Sequence, residues 1–305
     1  MAEKDITEKI LLSYADVFAD CINTLVYDGK RYLNPGNTQP APTESFYKVK
    51  KPRNQFCDTS RYLTEEGTIL LQYIIENETE LEERQILRKI SYEGGSYRQQ
   101  LGSGAPVYGV ITIVIAWTGK SSRIPQNLHT LLLKNGVPQK HLEMIDDTKL
   151  TVYHMNNLSP ETRNLFTSDL GFVADYLNEG NFDSRREQEI LHLDALCDLM
   201  EALTGDARFT ELANEFWTKH QKGDAVMACE YLDLLEARGE KRGEKRGEKR
   251  GEKRGEINGE TNLSALLVKL YDLGRSKDVE LAVRNPDARA KMFKEFAIPN
   301  YRDHK

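Results

Sequence analysis

The apolar positions change period along this chain, and the changes mark out its elements. Over residues 13–27, Val17, Cys21 and Leu25 fall on one stripe with Phe18 and Ile22 beside it, the spacing of an amphipathic helix. Over residues 28–45 the pattern is lost and turn formers gather (Asn34, Pro35, Gly36, Asn37, Pro40, Pro42), which predicts an irregular connection with no core face of its own. Two β-rich runs follow, residues 56–63 and 68–78, and Gly67 between them predicts a hairpin. Thr79 with Glu82 three residues later makes a capping-box pattern. It predicts a helix with the stripe Leu87, Ile90, Gly94, Tyr97 and Leu101, in which Gly94 and Gly95 allow close packing on a sheet. Residues 107–117 are nearly all apolar and β-branched, the mark of a strand buried on both faces. Residues 149–155 predict a shorter strand and residues 169–177 a helix.

Beyond residue 184 the period is helical throughout. Leu191, Ala195 and Leu199 form one row, and Leu193, Leu196, Met200 and Leu203 a second, with Gly205 as C-cap. A second helix carries Phe209, Leu212 and Phe216 and ends near Gly223. A third starts with Asp224 as N-cap and runs through Val226, Cys229 and Leu232 into four copies of Gly-Glu-Lys-Arg over residues 239–254. Lysines precede glutamates by three residues there, which supports a helix, while glycine at every fourth position weakens it. Because the copies mix both signs of charge, they read as a spacer helix or tether rather than a DNA-binding element. Residues 262–297 predict three short helices: 263–273 closed by Gly274, 277–284 after Ser276, and one from Pro286 after Asn285. The organisation expected is an α/β domain over residues 1–180, a helical segment over 184–238, a spacer over 239–260 and a small helical tail over 261–305.

Composition narrows the function classes. No run reaches the ~18 consecutive apolar residues of a membrane span, and the first residues lack the basic-then-apolar order of a secretion signal, so a cytoplasmic protein is expected. The four cysteines, Cys21, Cys57, Cys197 and Cys229, have no C-x-x-C spacing, which speaks against a zinc site or a disulfide framework. The histidines show no metal-ligand spacing. A net charge of -6 offers nucleic acid no global attraction, so contacts to DNA would have to come from local basic patches. Lys48, Lys50, Lys51 and Arg53 make the clearest one, although such a cluster also serves as a solubilising loop. Arg61, Arg84, Arg88 and Arg98 are further candidates for phosphate contact, with a solvated helix face as the plain alternative for Arg84 and Arg88. Tyr92 and Tyr97 read as core aromatics before base-stacking platforms. Gly119-Lys120-Ser121 lacks the glycine loop of a phosphate-binding P-loop and reads as a turn.

A hairpin turning at Gly67 brings together residues whose numbers sum to about 134, so Asp58 faces Glu76. Glu78, two residues on, shares that face. With no cation paired to them in sequence, three converging carboxylates repel one another unless a hard ion compensates them, and oxygen ligands favour Mg²⁺ over zinc. Such an ion polarises a phosphodiester oxygen and activates water. On spacing alone, the same acids also read as the solvated end of a sheet.

The runs at residues 73–80 (Tyr-Ile-Ile-Glu-Asn-Glu-Thr-Glu) and 88–101 (Arg-Lys-Ile-Ser-Tyr-Glu-Gly-Gly-Ser-Tyr-Arg-Gln-Gln-Leu) resemble the core of the recombination-promoting nucleases, also described as YhgA-like transposases. Residues 17–23, 106–114 and 168–176 agree, so the resemblance spans about residues 13–178. It implies a restriction-endonuclease-like core of the PD-(D/E)XK kind, a mixed central sheet flanked by helices, followed here by an all-helical C-terminal extension. It also implies a Mg²⁺-dependent DNA endonuclease linked to recombination or mobile elements, with Asp58 and Glu76 as metal ligands and DNA as partner; a homodimer is compatible with it. The third catalytic position, lysine in most of the superfamily and usually glutamine in this family, falls on Glu78. That departure keeps a second expectation open: a catalytically degenerate member that binds DNA or regulates.

Overall fold

The computed structural model describes residues 2–48, 52–119, 124–180, 188–219 and 226–298. Two helices, α1 (Ala2–Ser13) and α2 (Ala15–Leu25), precede strand β1 (Thr38–Pro40). A hairpin of β2 (Glu44–Lys48) and β3 (Pro52–Phe56) follows, then a longer one of β4 (Thr59–Glu65) and β5 (Thr68–Glu78). Helix α3 (Gln85–Leu101) leads to β6 (Gly109–Ala116), α4 (Leu128–Lys134), α5 (Gln139–Leu142), β7 (Thr151–His154), α6 (Pro160–Arg163) and α7 (Leu170–Glu179). The remainder is helical apart from one short ladder: β8 (Glu189–Ile190), α8 (Leu193–Thr204), α9 (Arg208–Lys219), β9 (Val226–Met227), α10 (Ala228–Asp272), α11 (Ser276–Arg284) and α12 (Pro286–Glu295). The chain divides into two compact units, Met1–Leu235 and Glu236–Lys305.

The centre of the first unit is a mixed five-stranded sheet in the order β1-β4-β5-β6-β7. β4 runs antiparallel to β1 and β5, whereas β5, β6 and β7 are parallel. Glu66 and Gly67 both have positive φ, 48° and 80°, the conformation of a two-residue hairpin turn whose twist matches its strands. Strand alternation then sorts the core. Tyr73, Ile75, Ile113 and Ile115 share one cluster with Phe18 and Ile22 of α2 and Phe172 of α7. Ile74 and Val114 point the other way, toward Tyr92 and Ile86 of α3 respectively. Helices therefore cover the sheet, making an α/β architecture. Helices α8 and α9 bury Leu196, Met200, Phe209 and Phe216 in the first of these clusters. In the second unit, Leu266 and Leu270 of α10 pack with Ala282 of α11 and Phe293 of α12.

Several local expectations fail for identifiable reasons. Helix α1 was not predicted, because Thr7 and Glu8 are buried beside Leu11 and Leu12 while Ile6 and Ile10 are exposed, so its apolar pattern describes its buried face only in part. The connection over residues 28–45 contains β1, paired to β4, and the start of β2, and it buries Leu33. The run beginning at Phe56 is two strands, since Phe56 closes β3 and the chain breaks at Cys57-Asp58 before β4. Thr79 does not cap a helix: α3 starts at Gln85, and it buries Ile86, Tyr92, Gly95, Ser96 and Gln100. Leu87, Tyr97 and Leu101 of the expected stripe are exposed, and Gly94 faces open space. Leu191 is exposed, and Val226 belongs to β9, so the long helix begins two residues later, at Ala228. The proposed cap Asp224 lies outside the described residues. Where a local signal was enough, it held: Gly205 ends α8 in the left-handed conformation (φ 71°), and Asn285 accepts hydrogen bonds from the Asp287 and Ala288 N–H groups ahead of Pro286.

Candidate functional site

The open end of the β4–β5 hairpin brings the three acidic residues together. The register Thr59↔Ile75, carried one step outward, sets Asp58 opposite Glu76. The two interlock across the strands: the Asp58 N–H donates to Glu76 Oε1 (3.2 Å), and the Asn77 N–H donates to Asp58 Oδ2 (2.7 Å). Asn77 points to the opposite face, where its side-chain oxygen accepts from the indole N–H of the fully buried Trp117 (3.0 Å). Glu76 and Glu78 consequently share one face, as strand alternation requires.

The acids are not without cations, contrary to the sequence reading. Lys9 of α1 lies 2.9 Å from Asp58 Oδ1. Arg88 of α3 spans the other two, with one nitrogen 3.1 Å from Glu76 Oε2 and the other 2.5 Å from Glu78 Oε1. Gln85 donates to Glu78 (2.8 Å), and Arg88 also donates to the Tyr92 hydroxyl (3.3 Å). Lys9, Gln85 and Tyr92 were missed as site residues. Lys9 sits on a helix whose buried face mixes Thr7 and Glu8 with Leu11 and Leu12, and the α3 residues take their roles from a helix register that begins at Gln85 rather than Thr79. The one available hint was the four-residue spacing of Arg88 and Tyr92, which places both on one helix face.

Burial sets the electrostatics. Glu76 is 1% exposed, and its carboxyl is raised from 4.5 to about 7, first by desolvation and then by Asp58, against the opposing pull of Arg88. Glu78 is also raised by burial, with Arg88 and Gln85 opposing. For Arg88, burial alone would lower the pKa, but the bond to Tyr92 and the charges of Glu78 and Glu76 raise it beyond its usual value. The neighbouring Cys57 thiol is pushed up to about 12 by burial and by Glu76 and Asp58, which makes it a poor nucleophile. A testable consequence concerns stability. Between about 4.5 and 7 the native state holds a proton on Glu76 that the unfolded chain has released, so this residue's contribution falls as pH rises through that window and is level above it. Glu76→Gln is expected to flatten that part of the stability profile in urea titrations from pH 4 to 8; an unchanged slope would assign it to other groups.

The predicted DNA contacts separate. Arg61 is buried, donates to the carbonyls of Ser13 (3.0 Å) and Thr38 (3.4 Å), and sits over the Phe18 ring, so it braces α1 and β1 and is not offered to a phosphate. Lys48 lies on β2 and Arg53 on β3, in the hairpin that leads two residues later into Asp58; Lys50 and Lys51 lie outside the described residues. Arg98 is exposed in the last turn of α3, ~15 Å along the helix from Arg88. Gly119 has φ 137°, and a Cβ there would meet the Thr79 carbonyl at 2.9 Å, so this position suits glycine for a tight turn.

Among the described residues, no group of three or more His, Cys, Asp or Glu side chains is arranged to hold a metal ion by itself. No family model, curated protein or solved structure matches the chain. Among the described residues, no helix is long and apolar enough to cross a membrane.

Proposed function

We propose that the chain is a divalent-metal-dependent DNA endonuclease whose reaction centre is Asp58, Glu76 and Glu78. One observation carries this reading: an aspartate and a glutamate from facing strands interlock at the end of a hairpin, with a third carboxylate on the same face. The resemblance to the recombination-promoting nucleases, with their restriction-endonuclease-like core, supports it and suggests DNA as substrate.

The donor set suits Mg²⁺. Asp58 and Glu76 provide hard oxygen ligands, and burial, then the charge of Asp58, raises the Glu76 carboxyl against the pull of Arg88, so a cation bound there would favour its ionised form. Two carboxylates completed by water and substrate oxygens are the usual protein share of a Mg²⁺ site. When bound, the ion would polarise a phosphodiester oxygen and favour ionisation of an attacking water. The chain's own residues then have distinct tasks. Asp58 and Glu76 would hold the ion, and the hydrogen bonds from the Asp58 and Asn77 N–H groups to the Glu76 and Asp58 carboxylates fix the spacing between the two acids. Glu78, oriented by Gln85 and raised by burial, takes the proton of the attacking water. Arg88, with 40% of its side chain exposed, keeps its Nε–H and its positive charge to offer to a phosphate.

Two observations favour the second reading, a DNA-binding or regulatory protein without hydrolysis. Glu78 occupies the position of a glutamine or lysine in the resembling families, and Lys9 and Arg88 already neutralise much of the acidic charge. Supercoiled plasmid incubated with the purified protein separates the two. The endonuclease reading expects nicking with Mg²⁺ and none with EDTA. Because the Glu78 carboxylate takes the proton of the attacking water, Glu78→Gln is expected to lower the rate by about 10²-fold, roughly 2.7 kcal/mol in the barrier. Retained DNA binding with no nicking under Mg²⁺ or Mn²⁺, in both proteins, would leave the second reading standing.

A further inference from the structure

The four Gly-Glu-Lys-Arg copies lie within the continuous helix α10, and residues 240–254 are exposed throughout. Their sequence mixes signs of charge, but their geometry separates them. Each helical residue advances about 100°, so a four-residue repeat returns with an offset of roughly 40° and each residue type winds as its own ridge. Over four copies the ridges stay largely apart. Six of the eight cations, Arg242, Lys245, Arg246, Lys249, Arg250 and Lys253, fall within a sector of about 140°, with Arg254 just beyond one edge and Lys241 just beyond the other. Glu240, Glu244, Glu248 and Glu252 fall in a sector of about 120° on the other side, which also takes in Lys241 and Gly251. The arginine ridge has no internal partner: each arginine of the first three copies has a lysine at i+3 and an arginine at i+4, with no carboxylate at i−3 or i−4. Like charges at i+4 weaken an isolated helix, as does each glycine. A helix of this composition is therefore stabilised by whatever neutralises its basic ridges.

We propose that this basic face of α10 is a docking surface for the phosphate backbone of duplex DNA. Charge complementarity selects the occupant. Two cations per repeat over a rise of about 6 Å place one per ~3 Å of helix axis, comparable with the one phosphate charge per ~3.4 Å of duplex axis that each strand of B-DNA carries. The major groove of B-DNA admits a helix, whereas that of A-form RNA is too deep and narrow for side chains to read. Residues 239–256 contain no apolar side chain to insert into a lipid surface, which membrane-lying helices need. The surface lies within the second unit and requires no metal, so it is independent of the hydrolytic reading.

The test uses the full chain in EDTA, so that no cleavage complicates binding, with a 30-base-pair DNA duplex followed by fluorescence anisotropy at several salt concentrations. The variant R242Q/R246Q/R250Q/R254Q is expected to bind about tenfold or more weakly, with the slope of log affinity against log salt reduced by roughly 3 to 4. E244Q/E248Q, which removes acids from the opposite side, is expected to bind more tightly and gives a gain that unfolding would not produce. Circular dichroism should show helical signal rising on addition of the duplex at low salt. The proposal is overturned by no binding of the unaltered chain, by an arginine variant with unchanged affinity and salt slope, or by equal or tighter binding to duplex RNA or to phosphatidylserine vesicles.

Discussion

Asp58→Ala and Glu76→Ala are each expected to lower Mg²⁺-dependent plasmid nicking by about 10³-fold or more, corresponding to the loss of several kcal/mol of charge stabilisation on the reacting phosphate. Each deletion removes one of two ligands and also leaves a backbone N–H without its acceptor: that of Asn77 in the first case and of Asp58 in the second. Loss of activity must therefore be read beside stability. For Glu76 the two move apart, because removing a buried carboxyl whose pKa is raised to about 7 relieves desolvation at neutral pH while removing the ligand. A folded, inactive Glu76→Ala protein is the outcome that supports the assignment, and calorimetry should show Mg²⁺ affinity lost with it. In the unaltered protein that affinity should rise with pH up to about 7, because ligation requires the ionised carboxylate. Full nicking by both variants would exclude this hairpin end as the reaction centre.

Asp20→Ala is expected to cost about 3–5 kcal/mol, the penalty of breaking a buried, multiply bonded charge. Asp20 is 4% exposed and accepts from the N–H and hydroxyl groups of both Thr167 and Ser168, at 2.8–3.1 Å, and from Arg31 at 2.5 Å. It thereby ties α2 to the turn that opens α7. In the same region, Asp169 accepts from the N–H groups of Leu191 (3.1 Å) and His192 (2.6 Å) and anchors the chain before α8. Asp20→Asn retains one acceptor oxygen and should lose about half as much. Urea unfolding measures both, and a loss below about 1 kcal/mol for Asp20→Ala would mean that water takes over the abandoned donors. Two of the stretches that carry the family resemblance, residues 17–23 and 168–176, thus contain scaffold residues, which accounts for their chemistry without assigning them a part in hydrolysis.

The site was legible wherever a short-range rule governed it. A glycine turn and strand alternation suffice to place Asp58 against Glu76 and Glu78 beside them, because antiparallel pairing converts residue numbers into neighbours. The charges meeting those acids were not legible in the same way. Lys9 arrives from 49 positions earlier in the chain, on a helix whose apolar residues mark its buried face only in part. Arg88 reaches Glu76 and Glu78 because α3 starts six residues after the apparent capping threonine. Arg61 looked like a phosphate contact and became a buried brace, since the carbonyls that receive it belong to Ser13 and Thr38.

The sequence by itself determined the turn of the central hairpin, the apolar strand β6, the helix stops at Gly205 and before Pro286, and the three converging acids. All of these follow from backbone preferences and spacing within a few residues. Only the tertiary structure decided how those acids are charged and which basic residues answer them. Burial and long-range pairing depend on which surfaces meet, and local periodicity carries no record of a partner many residues away.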